Sequence, residues 1–128
     1  MERAQQVAAA VAAKYDLLEC DECAKEIAQK LGKTFNASFE RLRTSDGSDG
    51  IGLEAEGLLI SKTGVHLGIR VGDMVFDNLH HNGVPAVEWP GRFVALSLAS
   101  LDHQARSISD FFGKIFLTEK FRRWFVAG

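Results

Sequence analysis

The feature that most constrains this chain is a run of clean alternation closed by a two-residue turn. Val65-His66-Leu67-Gly68-Ile69-Arg70-Val71 alternates, Gly72-Asp73 matches the Gly-X loop of a type II′ hairpin, and Met74-Val75-Phe76-Asp77 returns as the partner strand. Counting back from the loop pairs Val71 with Met74, sets Gly68 opposite Asp77, and sets His66 opposite Leu79. Because side chains alternate between faces, His66, Gly68 and Arg70 share one face with Val75, Asp77 and Leu79. Leu67, Ile69, Val71, Met74, Phe76 and Asn78 take the other face, which is almost wholly apolar. Asp77 is then a diagonal neighbour of His66, roughly 7–8 Å away at the backbone, with Gly68 leaving space between them. A carboxylate so placed fixes the imidazole tautomer and stabilises its protonated form. Asn78 is the alternative orienting group, but parity puts it on the wrong face.

The segments before the hairpin read as helices. Ala4, Val7, Ala8, Val11, Ala12 and Tyr15 recur at helical spacing, and Cys20, Cys23, Ala24, Ile27, Ala28 and Leu31 form a second stripe that ends at Gly32. Phe35, Ala37 and Phe39 then alternate as a half-buried strand, while Gly, Ser and Asp over 44–57 predict a mobile loop. Leu58-Leu59-Ile60-Ser61 opens as a strand, Asn82-Gly83-Val84-Pro85 reads as a turn, and 92–98 is ambiguous between strand and helix. Ile108, Phe111, Phe112 and Ile115 suggest a helix over 102–112, and His103 is expected on its exposed side. In the tail, Phe121, Trp124 and Phe125 would pack inward while Arg122 and Arg123 face water. The expectation is an α+β chain of 128 residues forming one domain, with a core over about 12–89 and a C-terminal helical extension over about 100–128.

Composition narrows the function. Hydrophobic residues are 46% and charged residues 25%, which excludes a disordered or collagen-like chain. A net charge of −2 gives no global basic field for nucleic acid or anionic lipid, and no apolar run reaches the ~18 residues of a membrane span. The polar start Met1–Gln6 lacks the apolar core of a secretory signal, so a cytoplasmic site of synthesis is expected.

Cys20 carries the chemical interest. A thiol in the first turn of a helix has its pKa lowered by unpaired backbone N–H groups, and a nearby imidazolium lowers it further. Cys23, one turn inside, reads as a buried small hydrophobe. Glu19, Asp21 and Glu22 work against a thiolate, so the imidazolium must supply much of the effect. Other readings of the same residues stay open: two core cysteines, a redox pair, or a zinc site made with His80 and His81, which otherwise sit in a loop. The zinc spacing fits no familiar finger, and the redox pair lacks a preceding strand.

Cys20-x-x-Cys23-Ala24, Ile60-Ser61, Gly64-Val65-His66, Ile69-Arg70-Val71, Val75-Phe76-Asp77-Asn78-Leu79-His80, Asn82-Gly83-Val84-Pro85 and Glu88-Trp89 occur in an order that resembles the papain fold toxin 2 domain of bacterial polymorphic toxin systems. The resemblance covers about 12–89. It implies a papain-like fold, N-terminal helices packed on a small antiparallel sheet, and a cysteine hydrolase, either protease or deamidase, acting on a protein. It implies Cys20 as nucleophile, His66 as general base and then acid, and Asp77 as orienting residue, with no metal and no cofactor. It also implies a cognate immunity protein and delivery into a target cell. A papain-type oxyanion glutamine is missing, since no Gln lies between Gln6 and Cys20; the N–H groups at the helix start would serve instead. The alternative is a protein-interaction module that keeps this fold without catalysis.

Overall fold

The computed structural model describes residues 2–53, 59–61, 63–112 and Trp124. Two helices lead, α1 (Arg3–Ala12) and α2 (Cys20–Leu31). The strands follow as β1 (Ser38–Thr44), β2 (Ile51–Leu53), β3 (Leu59–Ser61), β4 (Val65–Val71), β5 (Met74–Phe76), β6 (Val84–Pro85), β7 (Phe93–Ala95) and β8 (Leu101–Ser107). One antiparallel sheet runs β6-β5-β4-β1-β8, and a smaller one runs β3-β2-β7. The class is α+β.

The hairpin has the register its sequence predicts: Val71 pairs with Met74, Arg70 with Val75 and Ile69 with Phe76. Gly72 takes φ +67° while Asp73 stays at negative φ, the combination that favours glycine at the first loop position of a type II′ turn. The two hairpin faces bury different things. Phe39, Leu67, Ile69, Val71 and Phe76 pack with Ala8, Val11, Cys23, Ala24 and Ile27 of the helices. Leu42 and Val75, on the opposite face, pack with Ile51, Ile60, Val84, Trp89 and Phe93. The large sheet is therefore covered on both sides, by helices and by the small sheet. Gln5 secures α1 to the end of β4 by donating from Nε2 to the Val71 carbonyl, 3.0 Å.

Three expectations need correction. The first strand lies at Ser38–Thr44, not 34–40, because Glu40, Arg41 and Arg43 belong to a central strand. Buried Glu40 and Arg41 escaped the apolar pattern because each is hydrogen-bonded in the fold, Glu40 to Ser38 and His103, Arg41 through its terminal nitrogens to Gln104 and the Trp124 carbonyl. The loop expected over 44–57 contains β2, the central strand of the small sheet; 54–57 lie outside the described residues. The helix expected over 102–112 is instead strand β8, followed by a short 3₁₀ turn at Ile108–Phe111. β8 is an edge strand exposed on both faces, so it carries no apolar alternation to reveal it. His103 is accordingly on a strand, half-exposed, and the ambiguous stretch 92–98 contains β7. Of the tail, Trp124 is buried as expected, against Phe39 and Arg41, while Phe121 and Phe125 lie outside the described residues.

Gly68 has a role beyond leaving room. A Cβ there would stand 2.8 Å from Val75 Cγ1, 3.0 Å from Trp89 Cζ2 and 3.2 Å from the Phe76 carbonyl. The missing side chain lets the Trp89 ring reach the sheet. Gly68→Ala should therefore cost about 1–3 kcal/mol by overpacking, read as a lower urea midpoint, with a shifted tryptophan emission.

Candidate active site

His66 on β4 and Asp77, the residue after β5, meet as the hairpin register requires. His66 Nε2 lies 2.9 Å from Asp77 Oδ2, and both side chains are fully buried. Asp77 also ends the strand. Its Oδ1 accepts the backbone N–H groups of Leu79 at 2.9 Å and His80 at 2.7 Å, a turn in which the side chain bonds its own downstream backbone. Trp89 Nε1 donates to Oδ2 at 2.8 Å, and His80 Nδ1 sits 2.9 Å from Oδ1. Burial would raise the Asp77 pKa, but its bonds to His66 and His80 and their charges hold it well below the usual carboxylate range.

The imidazole is walled by rings. Trp89 stacks on it at 5.8 Å between centroids, and Phe93 tilts against it at 4.6 Å. Burial pushes the His66 pKa down, but the Asp77 bond, then the Cys20 side chain, outweigh it and raise the value to about 9. With Nε2 committed to Asp77, Nδ1 is buried and has no hydrogen-bond partner among the described residues.

Cys20 occupies the first position of α2 and is partly exposed, whereas Cys23 is fully buried. Burial first, then the charges of Asp77 and Cys20, push the Cys23 thiol up to about 12. Helix α2 begins without a side-chain cap, because Glu19 turns its carboxylate to the Asp16 N–H at 2.8 Å. The segment that delivers Cys20 is fastened at its start, over 14–16, from two sides. Lys14 and the Tyr15 hydroxyl bond Glu26 of α2. Asn78 Nδ2 donates to the Asp16 carbonyl at 2.7 Å, and His81 Nε2 stands 3.1 Å from the Tyr15 carbonyl. Parity did put Asn78 away from His66, and the residue instead ties the 77–81 loop to the chain that leads into Cys20.

In the sequence, Trp89 stands out only within the family resemblance, and His80 there and as a candidate zinc ligand; neither is assigned a contact with Asp77, and Phe93 is not singled out at all. His80 carries a local signal, an aspartate three residues upstream in a turn-forming run; Phe93 carries none beyond aromatic character. His80 and His81 bond different groups, so they do not converge with Cys20 and Cys23, and among the described residues no cluster of three or more His, Cys, Asp or Glu is placed to hold a metal ion.

Comparison with known proteins places the chain in a family. A family model described as Papain fold toxin 2 matches residues 2–94. The chain belongs to that family. The match runs from α1 into β7 and so includes Cys20, His66, Asp77 and Trp89 in one continuous span of the papain-fold toxin. No curated protein and no solved structure matches. Among the described residues no helix is long and apolar enough to cross a membrane.

The raised His66 pKa and the lowered Asp77 pKa set a pH window for stability. His66 titrates near 9 when folded against 6.5 ordinarily, so its contribution is complete below about 6.5 and is lost as pH rises through 9. Asp77 contributes fully above about pH 4 and loses that contribution as pH falls below it. Melting temperature should therefore peak between about pH 4 and 6.5 and fall between 6.5 and 9. His66→Gln should flatten the alkaline limb in thermal melts.

Proposed function

We propose that this papain-fold toxin is a cysteine hydrolase acting on a protein carbonyl or carboxamide, with Cys20 as nucleophile, His66 as its acid and base, and Asp77 as the orienting carboxylate. The observation that carries the reading is the fully buried His66–Asp77 pair at 2.9 Å, which holds the imidazole protonated toward pH 9 and leaves Nδ1 for a thiol. An imidazolium beside a thiol at a helix start favours the thiolate. Thiolate sulfur attacks the carbonyl carbon, and the oxyanion that forms is met by backbone N–H groups of the uncapped first turn of α2. The His66 proton passes to the leaving amine or ammonia as the tetrahedral species collapses to a thioester. Water then attacks the thioester, giving its proton to His66, and the carboxylic acid departs as the thiolate returns. Cys23 is unsuited to the nucleophile's part, being buried with a thiol pKa near 12.

As a family member the domain is expected to act on a protein of a target cell after delivery there, and to be held in check by an immunity protein where it is made. Peptide-bond cleavage and side-chain deamidation share the acyl-transfer steps above and differ in whether an amine or ammonia leaves.

Alkylation by iodoacetamide tests the assignment without a substrate. Wild type should label rapidly well below pH 8; Cys20→Ser should abolish that phase and Cys23→Ser should leave it. His66→Ala should slow the phase at neutral pH and lower turnover of any substrate by about 10²–10⁴-fold. Slow labelling of both thiols, indifferent to His66→Ala in a folded protein, would favour the interaction module instead.

A further inference from the structure

Strand β8 ends the large sheet, opposite the edge formed by β6, and its outer side has no partner among the described residues. Six of its seven residues are exposed. Two terminal bonds set its phase: the Ser45 N–H donates to the Ser100 carbonyl at 2.9 Å, and the Ile108 N–H donates to the Ala37 carbonyl at 3.0 Å. Even-numbered residues therefore turn their backbone groups toward β1, and Leu101, His103, Ala105 and Ser107 turn theirs outward. Among the described residues that row of donors and acceptors has no partner, and it is the kind of edge that natural sheets cover or block.

What fits that row is written in the strand. When the sequence Leu101-Asp102-His103-Gln104-Ala105-Arg106-Ser107 is laid antiparallel on a copy of itself with a two-fold axis at Gln104, Asp102 falls opposite Arg106, twice. In the same register the outward backbone groups of His103 and Ala105 face each other, as do those of Leu101 and Ser107, so the ladder is satisfied. The charged pairs occupy non-hydrogen-bonded positions, where opposing side chains approach most closely. Centring the axis one residue either way puts Asp102 opposite Gln104 or Ile108 and loses the complementarity. Among the described residues Asp102 and Arg106 form no ion pair, although Arg43 stands opposite Asp102 on β1. The Arg106 guanidinium lies 5.8 Å from the Trp124 ring centre, which braces it on the same face.

We propose that β8 is a homodimerisation edge, pairing two copies of this chain antiparallel about Gln104 into one continuous sheet. β8 is two strands from β4 and on the far edge from the Asp77 loop, so the pairing leaves that loop outside the interface.

Sedimentation velocity on the full chain over a dilution series tests this. Wild type should show a concentration-dependent species of about twice 14.1 kDa. Arg106→Asp and Asp102→Arg should each weaken self-association by about tenfold or more, since each sets like charges opposite. An equimolar mixture of the two variants should recover the dimer, because Asp then faces Arg at both positions. Ala105→Pro removes an outward N–H without touching the β1 ladder, and should give a monomer with an unchanged urea midpoint. A wild type that stays monomeric at every concentration would overturn the proposal. So would a dimer indifferent to both charge reversals, or a variant mixture that stays monomeric.

Discussion

The arrangement around β4 and β5 depends on one buried carboxylate. Isolated in this interior, Asp77 would be costly to ionise, since burial alone raises a carboxyl pKa. The cost is offset because its two oxygens accept bonds from the His66 ring, the Trp89 indole, the His80 ring and two backbone N–H groups. The donors come from three places, His66 on β4, the Leu79–His80 turn and Trp89, so ionising Asp77 and fixing the geometry of the 77–93 region are one event. Removing the charge would leave Trp89 Nε1 and two backbone donors poorly served at once, which is how a single residue becomes a structural keystone.

The same loop works in two directions. Toward β4, Asp77 fixes the imidazole; toward the helices, Asn78 and His81 hold the carbonyls of Asp16 and Tyr15 just before α2. Cys20 and His66 come from segments 46 residues apart in sequence, yet both are referenced to the run 77–81. Rigid shared reference is what the proposed thiol–imidazole pair needs, because misplacement by about 1 Å can cost two orders of magnitude in rate. The aromatic wall of Trp89 and Phe93 adds a dry face behind the ring, so the imidazole charge is governed by the groups on either side of it rather than by water.

Local chemistry explains what the sequence reveals of this fold. Strand β4, its turn and its register are legible because alternation and a Gly-X dipeptide leave one pairing, and that pairing carries His66 and Asp77 to the same face. α2 and its exposed-then-buried cysteine pair are legible from helical spacing. β1 is not, because its buried Glu40 and Arg41 look like surface residues until His103, Gln104 and Trp124 are brought alongside. β8 is not, because an edge strand open to water on both faces needs no apolar residues at all. The small sheet escapes for a third reason: β2 is three residues long and is defined by partners on both sides, β3 and β7, that are themselves only three residues each. Trp89 is visible as a residue but not as a donor to Asp77, since that contact exists only once β5 and the 86–93 segment are folded against each other.

The central claim is that Asp77 sets the charge of His66, and an NMR titration of the His66 imidazole in wild type and Asp77→Asn measures it directly. The account predicts a wild-type midpoint near 9, and a fall to the ordinary 6.5 or below in Asp77→Asn, where burial acts without the carboxylate. A wild-type midpoint near 6.5, or one that Asp77→Asn leaves in place, would contradict it.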